Sequence, residues 1–185
     1  TSQMTLKKDN GRSFSIHEKI EGEPLTNRQR HLTQEKKEKI ARNIANTFYK
    51  IHSIPIDSIP EISKITLYEF VTSLPKLDES NYNYSIFKDM LRDTKNDEVV
   101  FVYGDLNIGN ILLDGNDDIK AFIDFSFAGV SDIYSDICRT HCRLDEDIFR
   151  ILLEEYSKLS NKKLDEKKIF DRKKVWNYIE EEYIK

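Results

Sequence analysis

A change of periodicity in the middle of the chain most constrains what it can fold into. On either side, apolar residues recur every three or four positions, as on one face of a helix, whereas residues 98–125 read as short strands. Glu98-Val99-Val100-Phe101-Val102-Tyr103 is an apolar, β-branched run. Asn110-Ile111-Leu112-Leu113 and Ile119-Lys120-Ala121-Phe122-Ile123-Asp124-Phe125 flank Asp114-Gly115-Asn116-Asp117-Asp118, a turn-rich pentapeptide that predicts a hairpin. Such a chain is α+β, mainly helical, with a small central β-hairpin.

The flanking segments supply the helices. Thr33 can cap a helix over about 34–52 in which Ile40, Ile44, Phe48 and Ile51 share one face. Ile54-Pro55-Ile56 and Ile59-Pro60 form a linker, and two further helices are expected near 62–73 and 83–93. Beyond Gly129 the helical pattern resumes over about 132–143, 145–159 and 165–183. A separate hairpin is expected at the front. Met4 to Lys8 and Ser13 to His17 flank Asp9-Asn10-Gly11, and Asn-Gly tolerates the positive φ of a tight turn. Gly22 and Pro24 end that segment.

Composition removes several function classes. Ten Phe, nine Tyr and one Trp in 185 residues are too many aromatics for a disordered chain. No apolar run approaches the roughly 20 residues of a membrane span, and Thr1 opens no export signal. Two cysteines, Cys138 and Cys142, argue against a disulfide scaffold and fit a reducing cytoplasm. Twenty-nine basic against 33 acidic residues give a net charge of −4, which disfavours nucleic acid as partner.

Chemistry concentrates where the central strands turn. Asp105 follows the strand ending at Tyr103-Gly104, Asn110 opens the next strand, and Asp124 ends the last. A hairpin brings its two ends together, so Asn110 and Asp124 should be neighbours, with Asp105 reaching the same space through a short loop. Phosphoryl transfer uses such a set: a carboxylate that orients the acceptor hydroxyl and takes its proton, and hard oxygen ligands for Mg²⁺.

Tyr103-Gly104-Asp105-Leu106-Asn107-Ile108-Gly109-Asn110-Ile111-Leu112 resembles the catalytic loop of aminoglycoside phosphotransferases and related small-molecule kinases. Ile123-Asp124-Phe125-Ser126 resembles their metal-binding segment, and Ala128 to Ile137 the acidic stretch that follows, nearest to the 2''-phosphotransferase branch. The resemblance implies a protein-kinase-like C-lobe, with Asp105 as catalytic base and Asn110 and Asp124 as magnesium ligands. It implies ATP or GTP as phosphate donor and an aminoglycoside hydroxyl as acceptor. Glu18 to Ile20 look like the hinge whose backbone faces the adenine or guanine ring, with Ile123 lining the same pocket. Tyr103 stands where the family usually has His, and Ser126 where it often has Gly. The six glycines, at 11, 22, 104, 109, 115 and 129, include no Gly-rich phosphate loop. Residues 1–20 therefore resemble a remnant of the N-lobe and 21–185 the C-lobe, and little kinase activity is expected of the chain by itself.

The acceptor is read from charge. Residues 103–147 carry ten acidic and three basic side chains, which suits a cationic acceptor. Asp132, Asp145, Glu146 and Trp176 are the candidate contacts. Asp145, Glu146 and Asp147 also suit a helix N-terminus, Asp136 suits holding the catalytic loop, and Trp176 shares a core-packing pattern with Ile169, Val175, Ile179 and Tyr183. Cys138, His141 and Cys142 lack a fourth metal ligand and read as packing residues. Alternatives are a kinase of choline, homoserine, a macrolide or a sugar, or a fragment that binds acceptor without phosphorylating it. A face left by an absent N-lobe would favour self-association.

Overall fold

The computed structural model describes residues 5–9, 12–16, 18–59, 98–125, 127–141 and 143–183. Strands β1 (Thr5–Asp9) and β2 (Arg12–Ile16) pair antiparallel with Asp9 opposite Arg12, a register that leaves two positions for the turn, the loop length that Asn-Gly favours. The segment ending at Gly22 and Pro24 then adds a further strand. β3 (Glu23–Pro24) pairs antiparallel with Leu112 and Leu113 of the central hairpin. Proline is tolerated there because an edge strand need not donate on both sides. A Cβ at Gly22 would lie 3.0 Å from both the Leu112 Cβ and the Leu113 carbonyl oxygen, so the strands approach where glycine leaves room.

A short helix, α1 (Leu25–Arg28), leads to α2 (Gln34–His52). The Thr33 hydroxyl accepts from the Lys36 N–H at the start of α2, as its cap position predicts. Ile40, Ala41, Ile44, Ala45, Phe48 and His52 form its buried face. The helices expected near 62–73 and 83–93, like His17, Pro60, Ser126 and Cys142, lie outside the described residues.

The central strands are β4 (Val99–Val102), β5 (Ile111–Leu113) and β6 (Ile119–Phe122), and a fourth, β7 (Gly129–Asp132), which the sequence pattern does not predict, ends at residue 132, where the pattern expects a helix to begin. β5 and β6 form the expected hairpin, extended by β3 into three strands. β4 pairs instead with β7, Val99 opposite Asp132 and Val102 opposite Gly129. β6 ends at Phe122, short of Asp124, because Asp124 adopts φ +64°, which no strand accommodates. In the turn, the Asp114 carboxylate accepts from the N–H groups of Asn116 and Asp118, and Asp118 bridges to Lys36 and Lys39 of α2 at 3.0 and 2.8 Å.

Three helices complete the chain: α3 (Ile133–His141), α4 (Glu146–Ser160) and α5 (Glu166–Tyr183). α2 packs chiefly on α4, and α3 on α5. Phe48, Ile40 and Ile44 of α2 join Ile148, Leu152 and Tyr156 of α4 in one core, which also takes in Tyr103, Leu106, Ile111 and Leu113. Each fully buried Leu, Ile or Phe stabilises by roughly 1.5–3 kcal/mol, so the loop following β4 is anchored in the same core as the helices. No described helix is long and apolar enough to cross a membrane.

Candidate active site

Residues 103–110 alternate between anchor and presentation. Tyr103, Leu106 and Ile108 are buried, whereas Asp105, Asn107 and Asn110 are half-buried. Asn107 begins a 3-10 turn over Ile108–Asn110. Its side chain accepts from the Gly109 N–H at 3.0 Å, and its own N–H donates to the Asp105 carbonyl at 2.7 Å. Gly104 has φ +86°, and a Cβ there would sit 1.9 Å from the Phe127 carbonyl oxygen. Only glycine permits this approach of the loop to the segment after Asp124.

Asp136 of α3 is the loop's anchor and is fully buried. Its carboxylate accepts from the backbone N–H groups of Tyr103 and Gly104, each at 2.8 Å. His52 meets the same carboxylate through Nε2 at 3.0 Å and the Tyr156 hydroxyl through Nδ1 at 2.7 Å. The His52 ring stacks on Phe48, with centroids 5.6 Å apart. Sequence reasoning missed His52, although its position four residues after Phe48 on a buried face was a usable signal.

The loop is also tied to the segment holding Asp124. The Asn110 side-chain amide donates to the Asp105 carbonyl at 3.2 Å, and the Asn110 carbonyl accepts from the Ile123 N–H at 2.9 Å. The Tyr103 hydroxyl donates to the Ile123 carbonyl, and its ring meets Phe125 edge-on with centroids 4.3 Å apart. Burial above all, and then the charges of Asp124, Asp105 and Asp136, hold the Tyr103 phenol well above its ordinary pKa, so it remains a donor. Because the Asn110 amide nitrogen is engaged, its Oδ1 is the atom left to act as a ligand. This Oδ1 and the exposed Asp124 carboxylate both offer oxygen, the ligand type that Mg²⁺ takes. Asp105 Oδ1 accepts from Arg139 Nη2 at 2.5 Å, a partner not anticipated from the sequence.

The remaining candidates fall elsewhere. Glu18 and Ile20 are exposed on the stretch before β3, and Ile123 is half-buried beside Asn110. Asp132 was expected at the acceptor but is buried. It accepts from the Tyr134 N–H at 2.9 Å and the Ser135 hydroxyl at 3.4 Å, with Arg172 Nε 3.5 Å away. An aspartate just before a helix is drawn to that helix's N–H groups, and this corrects its assignment. Asp145 caps α4, accepting from the Asp147 N–H, and pairs with Lys37 at 2.8 Å. Burial pushes its carboxyl up, but the Lys37 ammonium outweighs this and holds it below its ordinary value. Glu146 is exposed on the first turn of α4. Trp176 lies on α5, with its side chain outside the described residues.

The acidity of residues 103–147 is thus largely absorbed by the fold: Arg28 meets Asp117, Lys36 and Lys39 meet Asp118, Lys37 meets Asp145, and Arg139 meets Asp105.

Comparison with known proteins bears on the fold and the family. Among solved structures, APH(3'')-Id from Streptomyces rimosus in complex with ADP and streptomycin matches at 17% identity over 94% of this chain and 73% of its own, with a TM-score of 0.68. The GDP and kanamycin complex of APH(2")-IIia matches at 17% identity over 95% of this chain and 64% of its own, with a TM-score of 0.70. A macrolide 2'-phosphotransferase of type I matches at 17% identity over 95% of this chain and 65% of its own, with a TM-score of 0.65. The chain therefore has the kinase-like α+β fold and spans from under two thirds to about three quarters of these neighbours. No curated protein sequence matches it. The model of the phosphotransferase enzyme family, APH, matches residues 3–161, and with its catalytic-type loop built as described, the chain belongs to that family.

Proposed function

We propose that this site transfers the γ-phosphate of ATP or GTP to a hydroxyl of a small-molecule acceptor, with aminoglycosides as the first class. The observation that carries the reading is the bonded unit of loop and hairpin: Asn110 joins the Asp105 carbonyl to the Ile123 N–H, so the loop bearing Asp105 and Asn110 is tied to the residue before Asp124. Asp105 orients the acceptor hydroxyl and takes its proton. Asn110 Oδ1 and the Asp124 carboxylate hold Mg²⁺, which when bound offsets charge on the phosphate oxygens. The backbone of Glu18 to Ile20, with Ile123, lines the place of the nucleotide ring. Glu146, Asp145 and Trp176 are the acceptor contacts this reading retains. The reaction belongs in the cytoplasm, where nucleotide and Mg²⁺ are supplied.

The internal pairing of the acidic residues favours a second reading, in which the acceptor carries fewer positive charges than an aminoglycoside, as a macrolide does. An acceptor panel with Mg-ATP and Mg-GTP, read by product mass, separates the two. Transfer to kanamycin or streptomycin that Asp105→Ala abolishes supports the first; transfer to macrolides alone supports the second. Absence of transfer to every hydroxyl acceptor tested, together with no saturable acceptor binding by calorimetry, overturns both.

A further inference from the structure

Helix α3 meets the loop at two successive levels. Asp136 takes the backbone N–H groups of Tyr103 and Gly104. Arg139, three positions further on and so on the same side of the helix, sends Nη2 to Oδ1 of the next residue, Asp105, at 2.5 Å. The first contact sets where the loop backbone lies, and the second reaches the carboxylate it presents. The two side chains are only 12% and 20% exposed, so solvent screens the pair less than it would a surface pair. The contact runs from one nitrogen to one oxygen, which leaves the Oδ2 edge of the carboxylate for a hydroxyl donor.

We infer that Arg139 is the positioning residue for Asp105: its guanidinium holds Oδ1 so that Oδ2 faces the acceptor hydroxyl. This rests on the reading of Asp105 as proton acceptor. In the transfer, the hydroxyl proton passes to Oδ2 and the acceptor oxygen forms the new P–O bond. The bond from the γ-phosphorus to its bridging oxygen breaks, with the electron pair leaving on the nucleoside diphosphate. Arg139 neither gains nor loses a proton. A guanidinium suits the role because its donors lie in a fixed plane and its charge is permanent, whereas an ammonium is a point charge on a flexible stem. Misplacing a reacting group by about 1 Å can cost on the order of a hundredfold in rate, so orientation alone accounts for a large effect.

The test compares Arg139→Gln, Arg139→Lys and Asp105→Asn, singly and with Arg139→Gln combined with Asp105→Asn. Arg139→Gln is expected to lower kcat by about ten- to a hundredfold while KM for acceptor and nucleotide stays within about twofold. Arg139→Lys should recover part of the loss. The double variant should be no slower than Asp105→Asn alone, because the effect of Arg139 on transfer runs through that carboxylate. In parallel, the Arg139 guanidinium protons are followed by NMR in the chain without nucleotide; slow exchange that Asp105→Asn accelerates supports the pair independently of turnover. Full kcat in Arg139→Gln, with Asp105→Asn inactive, overturns the role of Arg139 and leaves the proton-acceptor reading standing. Full turnover in Asp105→Asn overturns that reading and the inference with it. Guanidinium protons that exchange as fast as those of exposed arginines in the wild-type chain overturn the pair itself.

Discussion

The Tyr103 hydroxyl donates to the carbonyl of Ile123, the residue before Asp124, and so fastens the start of the catalytic-type loop to the segment carrying the candidate metal ligand. Tyr103→Phe keeps the ring contact with Phe125 and leaves the Ile123 carbonyl without this donor. Losing one partner of such a bond costs about 1–3 kcal/mol, which for a chain of this size lowers Tm by roughly 2–12 °C. Thermal melts measure the loss, and Mn²⁺ titration should show weaker metal binding. A melt unchanged from wild type would remove the fastening role of Tyr103.

Asp136 carries more of the architecture, since the N–H groups of two loop residues and the His52 ring converge on one buried carboxylate. Asp136→Ala orphans all of them. The expected cost is about 3–5 kcal/mol, the range for breaking a buried charged contact by removing one partner. Urea denaturation should show it as a large fall in the midpoint, and a variant within about 0.5 kcal/mol of wild type would contradict the anchoring role.

Gly104 and Gly115 make a paired comparison. Gly104 has φ +86° and a backbone oxygen 1.9 Å from the site of a Cβ, whereas a Cβ at Gly115 meets nothing within 4 Å. Gly104→Ala should displace the loop, abolish activity and lower stability by more than about 1 kcal/mol. Gly115→Ala should lie within about 0.5 kcal/mol of wild type. Equal melting curves for the two variants would refute the close approach.

Two buried phenols predict an alkaline limit to stability. Tyr103 and Tyr156 are both held above the ordinary phenol value of 10.0, chiefly by burial and then by nearby carboxylates, Asp124 at Tyr103 and Asp136 at Tyr156. Above that pH the unfolded chain loses these protons while the folded chain retains them, so the unfolded state binds fewer protons and stability falls as pH rises. Below it neither state has ionised and these groups make no difference to the pH dependence. Melts from pH 8 to 11 should fall above about pH 10, and less steeply in Tyr156→Phe. A flat profile for the wild type would contradict the burial of both hydroxyls.

The sequence by itself determined what depends on local order. The Thr33 cap and the spacing of Ile40, Ile44 and Phe48 specify α2 because capping and a 3.6-residue period act within a few residues of chain. The turn acids between β5 and β6, and the succession Asp105, Asn110 and Asp124, were equally legible, since a hairpin joins its own ends. Tertiary structure decided which distant groups meet. β4 takes β7 as partner across the intervening hairpin, Lys36 finds Asp118 82 positions away, Lys37 finds Asp145 108 away, and His52 reaches Asp136 across 84. Those pairings turned Asp132 from an expected acceptor contact into a buried helix cap, tied Asp145 to Lys37, and brought Arg139 onto Asp105. The physical reason is that a charged residue's role is set by the charges brought beside it on folding, and the period of a helix or strand carries no record of what packs against it.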